Sequence, residues 1–321
     1  MLEFTAHRLA YIFPIAIGVT LICFILTYLA PGDPISAIIP DNTAPELAAQ
    51  IRAAYGFDKP LPMQYLIWLG RVLSGDLGMS LTTRREVLSE IIPACINTFK
   101  LAGGAIFLSC FIGILLGTLA AYRQGKLSDR AISSIGIAAM SVPQYWLGTS
   151  LVIIFAVQFG LLPATGMGNP SVDDFNKELS YMILPMITLS VTHIGVIARS
   201  VRSTVGEILQ QDFVEALYAK GLTPVRVFIH VAKNAAPPIL AIIGLQIANL
   251  LGGSILVETV FSWPGTGSLL NSAIFMRDLP LLQGTILVLA MFFVVTNLAV
   301  DVLQMALDPR MKSARSTGGR R

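Results

Sequence analysis

The chain has 321 residues, of which 54% are hydrophobic and only 13% charged, against about 25% charged in a typical soluble domain. With a mean hydropathy of +0.71, this composition excludes an ordinary soluble enzyme and describes an integral membrane protein. The formal net charge of +3 is too small to mark a nucleic-acid binder, so the placement of the basic residues matters more than their sum. Cys23, Cys95 and Cys110 carry no metal or redox spacing, and His7, His193 and His230 are too far apart in sequence to form a ligand motif.

The first element is an uncharged apolar run, Leu9 to Ala30, of the length a bilayer core requires. A cleaved signal peptide is the rival reading, but its apolar core would be only about 7–15 residues and would end in an A-x-A-like site. Here the run ends in Tyr28-Leu29-Ala30-Pro31-Gly32-Asp33. Residues 1–30 therefore read as an N-terminal transmembrane helix. Residues 31–96 read as an outer-face region, polar to amphipathic. A helix is expected from near Pro45, with Leu47, Ile51 and Ala54 on one face, and a second stretch runs from Pro62 to Leu69. Tyr65 and Trp68 suit an interfacial position there. Residues 97–304 carry five further spans, near 101–122, 131–160, 181–198, 235–257 and 280–300, and residues 305–321 form a basic tail. The expected fold class is all-α and integral to the membrane, with six transmembrane helices.

Several features punctuate these spans. Gly113 and Gly117 form a GxxxG face that allows close helix approach. Pro143 removes a backbone donor in the middle of the third span and should kink or break the helix; a kink there is either a gate hinge or a packing feature. Gln246 and Asn249 are three residues apart, hence on one face of the fifth span, where they line a pathway or bond to another helix. Trp263, in the loop from Glu258 to Gly267, reads as an interfacial anchor.

Charge sets the expected orientation. With the N-terminus inside, Arg123, Lys126, Arg130, Arg199, Arg202, Lys220, Arg226, Lys233 and the tail face the cytoplasm. The opposite short loops hold only Lys177 and Arg277, beside Asp173, Asp174, Glu178, Glu258 and Asp278. This is a positive-inside pattern with both termini cytoplasmic.

Between the fourth and fifth spans lies the most informative stretch, Asp212 to Pro224. Asp212 reads as an N-cap, and Glu215 stands three residues on, at capping-box spacing. Lys220 suits the last turn of a short helix. Gly221 stands at the C′ position, where a left-handed residue closes the helix. Thr223 then caps a second helix with Pro224 at its first position.

Glu215-Ala216-Leu217 followed by Gly221 resembles the "EAA" loop of type I ABC-importer permeases, with Leu217 in place of the second alanine. Further motifs resemble the first permease of dipeptide/oligopeptide ABC importers. They are Ala30-Pro31-Gly32-Asp33-Pro34, Leu61 to Tyr65, Gly75-Asp76-Leu77-Gly78, Ala219-Lys220-Gly221-Leu222, Val257 to Gly265, and Leu307-Asp308-Pro309-Arg310. The resemblance runs over nearly the whole chain. It implies a type I ABC transmembrane domain over residues 97–304 and a cell inner membrane location. It also implies that Asp212, Glu215, Ala216, Lys220, Gly221, Thr223 and Pro224 couple the chain to an ATPase. The implied partners are a second homologous permease, two cytoplasmic ATPase subunits that bind the ATP, and an extracytoplasmic solute-binding protein. The implied solute is a di- or oligopeptide or another small molecule, since the family also imports nickel, glutathione and opines.

The residues themselves agree with a non-catalytic subunit. There is no G-x-x-x-x-G-K-[ST] phosphate loop, G-x-S-x-G elbow or H-E-x-x-H. None of the six central apolar runs contains Asp, Glu, Lys or Arg, the groups that ion-coupled transport usually needs at membrane depth. A secondary transporter or channel working without an ATPase is the second reading. A membrane scaffold or receptor is the third.

Overall fold

The structure is a computed structural model that describes residues 14–25, 58–168 and 175–307, together with the isolated positions Ala44, Glu46 and Ala53. The expected helix near Pro45, the exit of the first span at Ala30 to Pro34, Asp173, Asp174 and the tail from Asp308 lie outside these residues.

Among the described residues the chain is helical, without a strand. Helix α1 is Pro14–Ile25, α2 is Leu61–Leu73, α3 is Val87–Tyr122 and α4 is Leu127–Ser141. Next come α5, Gln144–Leu151, and a π-helix, Val152–Gln158. They are followed by α6, Phe175–Leu209, α7, Asp212–Ala219, and α8, Pro224–Val260. Helices α9, Thr266–Phe275, and α10, Leu279–Leu307, complete the set. Helices α3, α6, α8 and α10 are each long and apolar enough to cross a membrane.

The helices outrun the apolar runs that predict them. At 1.5 Å per residue, the 35 residues of α6 extend about 52 Å, well beyond a hydrocarbon core of about 30 Å. The span expected at 235–257 is the inner part of α8, which starts at Pro224 and passes through Pro237 and Pro238 without stopping. The span expected at 131–160 is interrupted in its middle. Helix α4 ends at Ser141, α5 begins after Pro143, and the two halves meet at 99°. Pro143, expected to kink or break the helix, breaks it and stands as the cap of the second half.

The chain forms two compact units. Among the described residues, one comprises 98–168, 175–263 and 295–307, and the other comprises 14–25, 58–97 and 264–294. In the first unit, α4 packs on α6, and α6 packs on α8. Glycines set the closest approaches. A Cβ on Gly117 would stand 2.5 Å from the Ala198 carbonyl oxygen, and one on Gly195 would stand 2.6 Å from that of Gly136. The GxxxG face of α3 is therefore used within the chain, against α6. Trp263, expected as an interfacial anchor, is fully buried beside Leu101, Leu250 and Phe261. The cause is the left-handed Ser262 (φ 47°), which folds the backbone so that the Trp263 amide donates to the Glu258 carbonyl at 2.8 Å.

In the second unit, Val87, Ile91, Cys95, Ala273 and Leu281 form a core. Gln283 Nε2 donates to the Cys23 carbonyl at 3.0 Å, tying α10 to α1. Phe24, Tyr65 and Trp68 cluster with centroids 5.5–6.2 Å apart, Phe24 and Tyr65 meeting edge to face and Trp68 tilted against both.

Candidate coupling segment and buried polar seam

Helix α7 forms where Phe213, Val214 and Leu217 place apolar groups at i, i+1 and i+4 on one face. Val214 is buried, and Phe213, Leu217 and Leu222 pack on the same cluster, which contains Val201, Val205 and Ile208 of α6 and Val227 and Val231 of α8. The opposite face is exposed: Asp212, Glu215, Ala216, Tyr218, Ala219 and Lys220.

The expected N-cap is off by one position. Gln211 occupies the cap in extended geometry, with no side-chain cap bond, and Asp212 is the first helical residue. Asp212 and Glu215 both lie in the first turn, where carboxylates suit the positive end of the helix dipole without closing a capping box. Lys220 is the C-cap itself, just beyond the last turn.

The stop is a Schellman motif. Gly221 is left-handed (φ 75°), its amide donates to the Tyr218 carbonyl at 2.9 Å, and the Leu222 amide donates to the Leu217 carbonyl at 3.2 Å. Thr223 is the N-cap of α8 without a side-chain cap bond, and Pro224 is its first residue. Local chemistry thus fixes a sharp reversal between two long helices and presents a short polar helix on its outside.

Beside this segment, Tyr122 at the end of α3 contacts Phe228 near the start of α8, with ring centroids 6.2 Å apart; both rings are exposed, as are Tyr218 and Val225. The same end is braced by a buried carboxylate. Asp129 accepts from Arg202 through Nε and Nη2, the latter at 2.8 Å, and from the Gly125 amide at 2.9 Å. Gln210 Nε2 donates to Gln124 Oε1 at 3.3 Å.

Gln246 and Asn249 do not act together. Gln246 is buried, and its Oε1 accepts from His193 Nδ1 at 2.9 Å, an interhelical bond between α8 and α6; Asn249 is exposed. His193 Nε2 is buried without a partner. Glu258, fully buried in the last turn of α8, accepts from the Thr98 hydroxyl at 2.8 Å. Among the described residues, no group of three or more His, Cys, Asp or Glu side chains is placed to hold a metal.

Comparison with known proteins now decides the family. Residues 113–313 match the model of the "Binding-protein-dependent transport system inner membrane component" family, and residues 1–102 match the model of the corresponding N-terminal region. The chain belongs to this family.

The permease is 37% identical to the di/tripeptide transport system permease protein DppB of Pseudomonas aeruginosa, over 98% of this chain and 100% of that protein. It is 36% identical to the dipeptide transport system permease protein DppB of Escherichia coli K12, over 97% and 99%. Against the metal-staphylopine import system permease protein CntB of Staphylococcus aureus the identity is 34%, over 97% and 99%. In fold it resembles a chain of the MetNI methionine ABC transporter, solved in inward-facing conformations. The TM-score is 0.57, with 18% identity, over 69% of this chain and 97% of that one. A second likeness, to an amino acid ABC transporter, has a TM-score of 0.51. The fold is that of a type I ABC-importer permease, and the protein is a multi-pass inner membrane protein of a multi-subunit import system.

Sequence reasoning misses the buried polar partners of this permease. His193 and Gln246 are 53 positions apart, and Thr98 and Glu258 are 160 apart, so no local spacing reports either pair. A lone histidine inside an apolar run was the available signal for the first. A carboxylate directly after a long apolar run was the signal for the second.

Proposed function

We propose that this permease forms half of the pathway for di- or tripeptides, or a closely related small solute, in an ATP-driven importer. The observation that carries the coupling role is α7 itself: a short helix held rigidly to α6 and α8 by one apolar cluster, with its polar face and Gly221 turn outward. Positive-inside charge supports a cytoplasmic position for this face and for both termini. In this reading the exposed side of α7, flanked by Tyr122, Tyr218 and Phe228, docks on one of two ATPase subunits. A second homologous permease completes the pathway, and a solute-binding protein delivers the solute on the other side. ATP is bound by the partners, and this chain binds no cofactor and catalyses no reaction.

Closure of the ATPases draws the coupling helices of the two permeases together. Because α7 cannot move without the ends of α6 and α8, the displacement passes into the membrane helices, and the pathway opens outward. Hydrolysis resets it. The peptide assignment rests on the names of the two DppB relatives. The 34% identity to a metal-staphylopine permease favours a metal chelate as the second reading.

The test is Gly221→Asp in the reconstituted complex, followed by ATP-driven uptake of a labelled dipeptide. A side chain on the left-handed backbone at Gly221 costs about 1–2 kcal/mol, and a Cβ there meets nothing within 4 Å. Assembly should survive while uptake is lost. Normal uptake by the variant would sink the coupling role. Uptake of a metal chelate but of no peptide by the wild-type complex would replace the substrate reading.

A further inference from the structure

A cavity of about 230 Å³ lies between α4 and α6, lined by Ile132, Ser133, Gly136, Ile137, Ala198 and Arg199, with Gly195 and Arg202 also reaching it. It exists because the two helices touch backbone to backbone at Gly136 and Gly195. At that contact no side chain fills the groove, and the isoleucines stand to its sides. The chemistry of the wall is divided. Ile132, Ile137 and Ala198 are apolar, whereas Arg199 and Arg202 bring two guanidinium groups.

The two arginines are not equivalent. Arg202 is committed to the buried Asp129, which takes both its Nε and Nη2. Ser133 Oγ also points to Asp129, at 3.4 Å. Among the described residues Arg199 has no such carboxylate, although it stands on the same helix three residues earlier and directly follows the apolar run 181–198. A guanidinium with no carboxylate partner among the described residues, at the end of an apolar run and beside an apolar slot, matches a ligand with a phosphate at one end and hydrocarbon at the other. Arginine suits phosphate because its planar fork donates two parallel hydrogen bonds. Basic pockets between membrane helices are recurrent headgroup sites. Leu127, Ile135 and Ile137 on α4 are exposed, so nothing in this chain covers that side of the slot among the described residues.

We propose that this cavity is a binding site for an anionic phospholipid, with Arg199 holding the headgroup phosphate and Ile132 and Ile137 flanking the start of an acyl chain. The proposal needs only the membrane location, not the identity of the transported solute, so it stands or falls apart from the peptide reading.

The experiment is native mass spectrometry of the full transport complex, purified in mild detergent and exposed to dioleoylphosphatidylglycerol or dioleoylphosphatidylcholine. Wild type should retain the anionic lipid over the zwitterionic one. Arg199→Gln should lower that occupancy about fivefold, the usual effect of one basic residue at a lipid headgroup, and Arg199→Lys should lower it less. Ile137→Trp, which fills the slot without changing charge, should lower it as well. Arg123→Gln, an exposed arginine outside the cavity, should not. Unchanged phosphatidylglycerol binding in Arg199→Gln, or equal binding of phosphatidylcholine, would overturn the proposal. Displacement of the lipid by millimolar inorganic phosphate would overturn it in favour of a free-phosphate site. Because Arg199→Gln and Ile137→Trp perturb different walls, failure of one to assemble leaves the other to decide.

Discussion

Two buried carboxylates, one in each compact unit, are held in opposite ways. Asp129 is neutralised by a cation, the guanidinium of Arg202, with the Gly125 amide as a second partner. Among the described residues, Asp278 is held by neutral donors instead of a cation. It accepts from the Ser80 hydroxyl at 2.5 Å, from the Thr82 amide at 3.0 Å and from the Leu281 amide at 3.2 Å. The first arrangement concentrates its stabilisation in one side chain, so removing that side chain strands a buried charge. The second spreads it over several neutral donors, mostly backbone, so no single substitution removes more than a fraction. Asp129 braces the loop between α3 and α4 through the Gly125 amide and ties it to α6 through Arg202. Asp278 gathers the turn at Ser80 to Thr82 onto the start of α10.

The largest expected effect tests the concentrated case. Arg202→Leu leaves Asp129 buried without its cation, a class of change worth about 3–5 kcal/mol. The Arg202 side chain is 35% exposed, so solvent screens part of this, and about 2–3 kcal/mol is expected. The thermal midpoint of the purified complex should fall accordingly. Adding Asp129→Asn should restore part of the loss, because the stranded charge is then gone. A double variant no better than Arg202→Leu alone would mean that the pair acts through packing rather than charge.

The contrast between these joints also explains what the sequence reveals. The segment from Asp212 to Pro224 is legible because its determinants are local: Gly221 closes a Schellman turn with carbonyls three and five residues back, and Pro224 starts the next helix. Its errors are small: the cap is Gln211 instead of Asp212, so no capping box closes although both acidic residues stay in the first turn, and Lys220 is the C-cap just past the last turn. Pro143 announces an interruption, but its chemistry does not set the 99° angle, which depends on what α4 and α5 pack against. Trp263 shows the limit of composition. Aromatic residues near a span end are commonly interfacial, yet the left-handed Ser262 turns this one inward. The pairs Arg202–Asp129, His193–Gln246 and Ser80–Asp278 are separated by 73, 53 and 198 positions. Such partners are chosen by helix packing, so a single sequence carries the residue types without the pairing.

The distributed case should yield less. Ser80→Ala removes one hydroxyl donor from Asp278 while the backbone amides remain, and about 1–2 kcal/mol of local stability is expected to go. The readout is hydrogen exchange of the Ser80 to Glu86 turn, which should quicken while the segment around Asp129 stays as protected as before. A loss equal to that of Arg202→Leu would erase the distinction between the two joints.

The smallest effect comes from pH, and its sign follows from the same donors. Burial pushes the Asp278 carboxyl up, but hydrogen bonds from Ser80 and from the Thr82, Leu81 and Leu281 amides outweigh burial and hold it below the usual carboxylate range. A carboxyl depressed in the folded state contributes stability that is fully present above its unfolded value, about 3.9. That stability is lost as pH falls through the folded value. The turn should therefore be indifferent to pH between 5 and 8, a window well above both values, and should loosen only in stronger acid. Exchange or limited proteolysis of the turn at mildly and strongly acidic pH checks this. Ser80→Ala weakens the donors, so it should move the onset of loosening toward higher pH. A turn that loosens already near neutrality would show that Asp278 is held up by burial rather than down by its amides, and its joint would then depend on a proton instead of on distributed donors.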